Sequence, residues 1–446
     1  MSLLELRKKI ERKEAHIAVI GLGYVGLPVA CKFAQAGFSV LGVEIKADHV
    51  ELINAGISPF EGKEPGLAEL LAKVVTSGRF RATVDYEEIS DQDVVLIDVE
   101  TPVDENNIPQ YKALRSAISC LGPILRNDAL VIVESTVSPG TMSNMVLPLL
   151  EESTGKSLNQ GFYLGNCPER VMPGKLLSNL QKVSRVVGGM TPEIADTMVA
   201  LYRHVVQAEL DPTDCLTAEL VKTVENAYRD VQIAFANEVA LVCEAIGGDV
   251  WKVRELVNKT PYRQMHLPGS GVGGHCIPKD PWLLAFSVEK KDLKLRIIPS
   301  ARMVNDLMPL HMVEILIAAL EEEGKSVQDA RILVMGYSYL ENSDDVRNSP
   351  SSELVRLLDE LGSRVIIHDP YVPAFASDLL KMANGCDAIV VMVRHQDYYS
   401  LSLNELKNVL RTPILVDGRG MFKQNEVERA QIRYWGVGIS NKHNSA

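Results

Sequence analysis

Two short stretches carry side chains suited to carbonyl and proton chemistry. GVGGHCIPKDP (271–281) holds Cys276 with Lys279 and Asp280 close behind it. A nucleophilic cysteine needs access, a cation that favours thiolate and a group that moves a proton. Gly271, Gly273 and Gly274 strip side chains from the approach, so that backbone and ligand can come close. Pro278 and Pro281 stiffen the far side, Lys279 is the cation and Asp280 the carboxylate. The competing reading is a glycine-rich turn with a bystander cysteine, since a free cysteine often acts as a small buried hydrophobe. The second stretch, ELVKTVENAYRD (219–230), sets Lys222 four residues before Asn226, on one face if the segment is helical. There the competing reading is a solvated lysine paired with Glu219 or Glu225.

Elements must hold these groups. HIAVI (16–20) reads as a buried strand running into GLGYVG (21–26), in which Gly21, Gly23 and Gly26 fit GxGxxG. A helix pattern follows over 27–36, Gly37 ends it, and FSVLGVE (38–44) is the next strand, closing on Glu44. In this strand–loop–helix–strand context the pattern is a dinucleotide fingerprint. The first glycine allows the turn, the second admits the pyrophosphate and the third lets helix and strand pack. Tyr24 and Val25 lie within the same loop. Glu44 would accept from a ribose 2′-OH and repel a 2′-phosphate, which favours NAD over NADP.

Further strands follow at 93–99, 129–136 and 161 onward, and RVVGG (185–189) reads as the last strand of this part. Ligands sit at strand ends in open parallel sheets, which makes Thr101, Thr136 and Glu169 site candidates; each could equally serve as a cap or turn residue. From about 213 the pattern changes. Residues 213–247 lack proline and reach glycine only at Gly247. A helix of that length runs about 50 Å, a spine between domains and a dimer interface. ARILVMGYSY (330–339) opens a second strand–loop–helix series, with strands expected at 364–370, 387–393 and 413–418. It lacks GxGxxG, so a second dinucleotide is not expected there. Arg347 in SDDVRNSP and Arg419 in DGRG fall at strand–loop ends, where arginines suit a phosphate or pyrophosphate; the plain alternative is a surface salt bridge. The fold expected is α/β: two Rossmann-like doubly wound domains (1–210 and 321–446) joined by a central helical domain (211–320).

The whole chain bounds the reading. Its 446 residues exceed one core, and 46% hydrophobic with 23% charged content is ordinary for a globular protein. A net charge of −12 argues against general binding to nucleic acid or anionic membranes. Seven scattered cysteines, with no CxxC, fit reduced thiols in a cytoplasm and no metal site. The charged N-terminus does not read as a signal peptide, and no apolar run approaches the ~20 residues of a membrane helix.

GLGYVG, STVSPGT, CPERVMPG, AELVKTVENAYRDVQIAFANE, GVGGHCIPKDP, SDDVRNSP and DGRG occur in that order along the chain. Together they resemble the UDP-glucose/GDP-mannose dehydrogenase family over nearly the full length. Within it, CPERVMPGK, VVGGMTP and GVGGHCIPKDPW look most like the enzymes acting on UDP-N-acetylmannosamine. UDP-glucose enzymes usually carry a second glutamate four positions after the one matched by Glu169, where this chain has Pro173.

The resemblance implies a four-electron oxidation of a UDP-sugar primary alcohol to a carboxylate, with two NAD reduced in succession. Lys222, Asp280 and a water near Thr136 are its candidates for proton traffic, Cys276 its nucleophile on the aldehyde. Lys222 and Asn226 would stabilise the oxyanion, and Glu169 or Asp280 would activate the hydrolytic water. Glu169, Arg170, Val171, Lys222, Asn226, Tyr262, Arg263, His266, Gly273, Arg347 and Arg419 are the expected substrate contacts. A homodimer or larger homo-oligomer is expected, in surface-polysaccharide precursor synthesis. Two other readings compete: a two-electron dehydrogenase of the hydroxyacid type, and a non-catalytic NAD-binding sensor with a redox thiol.

Overall fold

The structure, a computed structural model, describes residues 1–60 and 64–440. The polar tail after 437 lies largely outside the described residues. The chain divides into two compact units, Met1–Glu225 with Trp282–Leu293, and Asn226–Pro281 with Lys294–Ala446.

The first unit is built on β1 (His16–Ile20), β2 (Ser39–Val43), β3 (Phe80–Thr83), β4 (Val94–Ile97), β5 (Ala129–Val133), β6 (Phe162–Asn166), β7 (Arg185–Gly189) and β8 (Leu210–Asp214). Their spatial order is 3-2-1-4-5-6-7-8, parallel except for the antiparallel pair β6–β7. The strands are short apolar runs because helices cover both faces. Period-2 alternation divides them: Ile17, Val19, Val94, Leu96, Leu130 and Ile132 enter one core. Ala18, Ile20, Val95, Ile97, Val131 and Val133 enter the other. The strand order reverses between β1 and β4, which opens a crevice above their C-terminal ends. Contrary to expectation, RVVGG is not the last strand of this part. LDPTD pairs with it in parallel register as β8; its proline and three charged or polar residues hid an edge strand, where proline is tolerated. β3, FRAT, hides for a different reason: four residues carry too little alternation to read.

The second unit carries a five-stranded parallel sheet of β9 (Arg331–Met335), β10 (Arg364–His368), β11 (Ala388–Val391), β12 (Ile414–Asp417) and β13 (Arg433–Gly436), ordered 10-9-11-12-13. β13, RYWG, was also not anticipated. Ile332, Val334, Val390 and Val416 pack with Ala236 and Ala240 of the spine helix and with Met312 and Leu316. Leu333, Met335, Ile389 and Leu415 fill the opposite core. The spine helix itself is Cys215–Ile246, 32 residues. The helix Ile297–Glu322 is long and apolar enough to cross a membrane by length and composition. The sequence reading passed over it because Arg302, Asp306, His311 and Glu314 interrupt the apolar run. Its buried residues Met308, Met312, Val313 and Leu316 belong to the core of the C-terminal sheet.

Candidate active site

In the first unit the glycine loop divides its three glycines by what surrounds them. Gly21 sits at φ 90°, and a Cβ there would lie 2.5 Å from the Asp98 carbonyl oxygen. A Cβ at Gly26 would run into the Gly21 carbonyl. At Gly23 it would meet nothing within 4 Å. The first and third glycines therefore pack protein against protein, while the second leaves its face open for a ligand, as a pyrophosphate cradle requires. The following helix, Gly26–Ala36, starts at Val25 with no side-chain cap, and its N-terminus carries the positive end of the helix dipole, which favours an anion. Glu44 ends the β2 segment, buried, with Oε2 accepting from Leu22 N and Oε1 from Lys46 N, both at 3.2 Å. It braces the glycine loop as well as presenting a carboxylate at the strand end.

Thr101 and Thr136 come together across adjacent strand ends: the Thr101 hydroxyl donates to the Thr136 carbonyl at 2.6 Å. Glu169 is 7% exposed and pairs with Arg185. Arg170 turns the other way, to Glu225 (Nε–Oε2, 3.0 Å) and the Ser184 carbonyl (2.8 Å). Val171 packs on the core beneath. Lys222 is 9% exposed. The carboxylates once weighed as its surface partners are engaged elsewhere. Glu225 holds Arg170, and Glu219 accepts from the N–H groups of Gly140 and Met142 at 2.7 and 2.8 Å. Burial pushes Glu219 up to about 7 against those hydrogen bonds. The solvated-lysine reading therefore does not hold.

In the second unit Cys276 is exposed, as only Cys120 is among the other cysteines. Its carbonyl accepts from Lys279 N (3.1 Å) and Asp280 N (2.8 Å), a tight turn that leads straight into the helix Asp280–Phe286. Asp280 is fully buried. Its Oδ2 accepts from Asn226 Nδ2 at 2.5 Å, and its Oδ1 faces Lys279 Nζ at 3.5 Å. The Cys276 backbone, the Asp280 carboxylate and the Asn226 amide are thus joined by hydrogen bonds, with the Lys279 ammonium facing the same carboxylate. The glycines before it serve protein packing first: a Cβ at Gly271 would press on Pro350, one at Gly273 on the Asn348 carbonyl, and one at Gly274 on the Tyr339 ring. Gly274 N donates to the Arg347 carbonyl at 3.0 Å, and Asn348 Nδ2 returns a bond to the Gly274 carbonyl at 3.1 Å.

Arg419 and Arg394 share one carboxylate: Glu341 Oε1 lies 2.5 Å from Arg394 Nε and 3.8 Å from Arg419 Nη2. Both guanidiniums lean on this one carboxylate, and paired arginine forks of this kind suit a phosphate. Asp417 fixes the DGRG turn by accepting from Arg419 N (2.9 Å) and Phe422 N (2.8 Å). Arg347 instead forms the surface pair that was the plain alternative, with both Nε and Nη2 on Asp345. His266 is half-buried, its pKa lowered by burial, with Nδ1 3.2 Å from the Leu267 carbonyl. Tyr262 and Arg263 are exposed, Tyr262 at 97%.

Sequence reasoning missed several members. Glu64 accepts from Tyr24, from Gly174 N at 2.5 Å and from Leu176 N at 3.2 Å, so it ties the glycine loop to the loop that follows Glu169. Nothing in its spacing marks it. Glu219 was read only as a partner for Lys222. Arg185 did leave a signal: a charge opening the apolar strand RVVGG must have a buried partner.

The NAD-binding domain of the UDP-glucose/GDP-mannose dehydrogenase family matches residues 15–206, its central domain 216–307 and its UDP-binding domain 333–424. The chain belongs to this family, is an NAD-dependent nucleotide-sugar dehydrogenase, and takes NAD as cofactor. A UDP-N-acetyl-D-mannosamine dehydrogenase of Pyrococcus horikoshii is 38% identical over 411 residues, 92% of this chain and 97% of its own. A solved structure of the UDP-D-ManNAc dehydrogenase of that organism superposes with a TM-score of 0.89 at 36% identity, covering 95% of this chain and 99% of that one. The NDP-N-acetyl-D-galactosaminuronic acid dehydrogenase of Methanosarcina mazei gives 0.86 at 36% identity, over 99% of each chain.

Proposed function

We propose that the chain oxidises the C6 primary alcohol of a UDP-N-acetylhexosamine, UDP-N-acetylmannosamine being the best candidate, to the uronic acid. The segments are 1–210 for the cofactor, 211–320 for the spine and catalytic groups, and 321–446 for the nucleotide. Gly21, Gly23, Tyr24, Val25, Gly26, Glu44, Thr101 and Thr136 would hold NAD, which would supply the hydride acceptor, one molecule for each of the two oxidations. In the first oxidation Asp280 and Lys222 serve the hydroxyl proton as hydride leaves the alcohol carbon. The aldehyde then needs a nucleophile, because its carbon can give up a second hydride only as an sp³ centre. The Cys276 thiolate adds to it, and Lys222 and Asn226 donate to the oxyanion. Loss of hydride from this thiohemiacetal leaves a thioester. Water activated by Glu169 adds, the C–S bond breaks, and thiolate and carboxylate are released. Arg419, with Arg394 beside it, binds the diphosphate; Arg263, His266, Arg170, Val171 and Gly273 are further contacts of the UDP-sugar, and Arg347 joins them on leaving Asp345. A homodimer through the exposed apolar side chains of the spine helix, a cytoplasmic location and a role in surface-polysaccharide precursor supply complete the reading.

The observation that carries it is the exposed Cys276 joined through its own turn to buried Asp280 and Asn226. The test counts NADH per UDP-sugar across a panel of epimers, with Cys276→Ala alongside. Two NADH per substrate is expected from the native chain, and no uronic acid from the variant. One NADH per substrate would favour a two-electron dehydrogenase, and normal uronic acid from Cys276→Ala would remove the thioester route.

A further inference from the structure

Several buried acids of the first unit gather around one arginine. Arg185, 3% exposed at the start of β7, reaches Glu134 just past β5 (Nη1–Oε1, 3.4 Å) and pairs with Glu169 beyond β6. Its guanidinium lies 5.0 Å from the centre of the Tyr202 ring. The Tyr202 hydroxyl donates to Glu134 Oε1 at 2.5 Å. Behind Glu134 stands Asp98, at the end of β4. Asp98 Oδ2 and Glu134 Oε2 have no other partner, and one proton between the two carboxylates satisfies both. Burial, with Glu134 next, raises Asp98 so that it carries that proton. The nearby Cys167 thiol is pushed by burial to about 11 and stays neutral. Arg170, adjacent to Glu169, is turned to Glu225. The carboxylates that pair with Arg185 are therefore Glu134 and Glu169, with Asp98, Tyr202 and Cys167 held neutral around them by burial.

A buried ion pair of this kind gives little net stability over apolar side chains of the same size. Three acids around one base in a sheet of apolar strands call for another reason, and one member is the carboxylate assigned to the hydrolytic water. We infer that Arg185 is the positioning residue for Glu169: it holds that carboxylate at the strand end, and its division between Glu134 and Glu169 sets the pH above which Glu169 can take a proton from water. The inference rests on the reading of Glu169 as the residue that activates water for acyl-enzyme hydrolysis.

The test follows decay of the Cys276 acyl-enzyme in the full-length chain. NAD and UDP-N-acetylmannosamine are mixed rapidly with enzyme, quenched in acid and read by intact-protein mass across pH 5–9. Arg185→Lys keeps the charge and loses the fork. It is expected to slow decay by about tenfold, more than it slows hydride transfer, and to move the acid limb of the decay profile to higher pH. Glu134→Gln removes the competitor for the guanidinium and should move the limb the opposite way, by about half a pH unit or more. Limbs that stay in place, or that move in the same direction, would overturn the inference. If Arg185→Lys does not fold, the downward shift in Glu134→Gln decides alone. Glu169→Gln tests the underlying reading separately. Decay at the native rate in that variant removes Glu169 from hydrolysis whatever Arg185 does. A stalled acyl-enzyme there, with unmoved limbs in the other two, removes only the positioning role.

Discussion

The two sheets open on the same turn and then part. Gly21 follows β1 at φ 90°, and its N–H donates to the Val43 carbonyl at the end of β2, 2.9 Å away. Gly336 follows β9 at φ 90°, and its N–H donates to the His368 carbonyl at the end of β10, 2.8 Å away. Each turn is braced by an acid placed after the second strand: Glu44 accepts from Leu22 N, and Asp369 accepts from Tyr337 N and Ser338 N at 2.7 and 2.9 Å. Beyond that point the first sheet starts its helix at Gly26, with Gly23 open to a ligand. The second runs a long loop to the helix Pro350–Glu360 and closes its acid under His395, Nε2–Oδ2 3.1 Å. The shared frame is a strand-end turn. What it binds is decided by the few residues after the first glycine.

That contrast predicts the largest divergence at the glycines. Gly23→Val puts a side chain into space that no protein atom fills, so melting temperature should hold while KM for NAD rises about 100-fold, roughly 2.7 kcal/mol. Gly336→Ala adds a Cβ 2.4 Å from that of Val393 at a positive φ. It should cost about 2 kcal/mol or more of stability and leave KM for NAD unchanged in what folds. Thermal melts and cofactor titrations on both variants separate the cases, and a lost fold in Gly23→Val would break the comparison.

The sequence made one side of this contrast readable and hid the other. GLGYVG declares itself because each glycine answers a separate steric demand at fixed spacing. The Cys276 turn was readable from its own composition, although its glycines turned out to accommodate Tyr339, Asn348 and Pro350, some 65 or more residues on in sequence. Glu64, Glu134 and Arg185 act across strands and loops that only the fold brings together, so no local pattern could point to their partners. Arg347 and Arg419 looked alike at strand–loop ends. They differ because Asp345, two residues from Arg347, takes up its fork, while Arg419 must share Glu341 with Arg394.

The second acid should show its closed setting through pH. Burial tends to raise Asp369, but His395 and the N–H groups of Ser338 and Tyr337 outweigh it and bring it to about 2. A carboxylate lowered in the folded state adds stability above its unfolded value near 3.8, which is lost as pH falls towards 2. The contribution is about 2 kcal/mol at neutral pH, with about half of it gone at pH 3. Urea melts of the native chain and Asp369→Asn should therefore differ most at neutral pH and converge as the solution is acidified. A gap that stays constant down to pH 3 would assign the loss to hydrogen-bond geometry and not to charge.

The first acid should behave in the opposite sense, with its effect on ligand choice rather than on folding. Glu44 has two oxygens and each accepts one bond from a backbone N–H, so lone pairs remain for a ribose hydroxyl. Its charge also opposes a 2′-phosphate. Glu44→Ala removes both effects: NAD loses an acceptor, and NADP loses a repulsion. The ratio of kcat/KM for the two cofactors should narrow by about tenfold, near 1.4 kcal/mol, with weakened NAD binding contributing most. Glu44→Gln retains an acceptor and drops the charge, so it should recover part of the NAD affinity, and with it part of the ratio, but none of the repulsion of NADP. Equal use of both cofactors by the native chain would detach Glu44 from the ribose and leave it, like Asp369, only a brace for the turn.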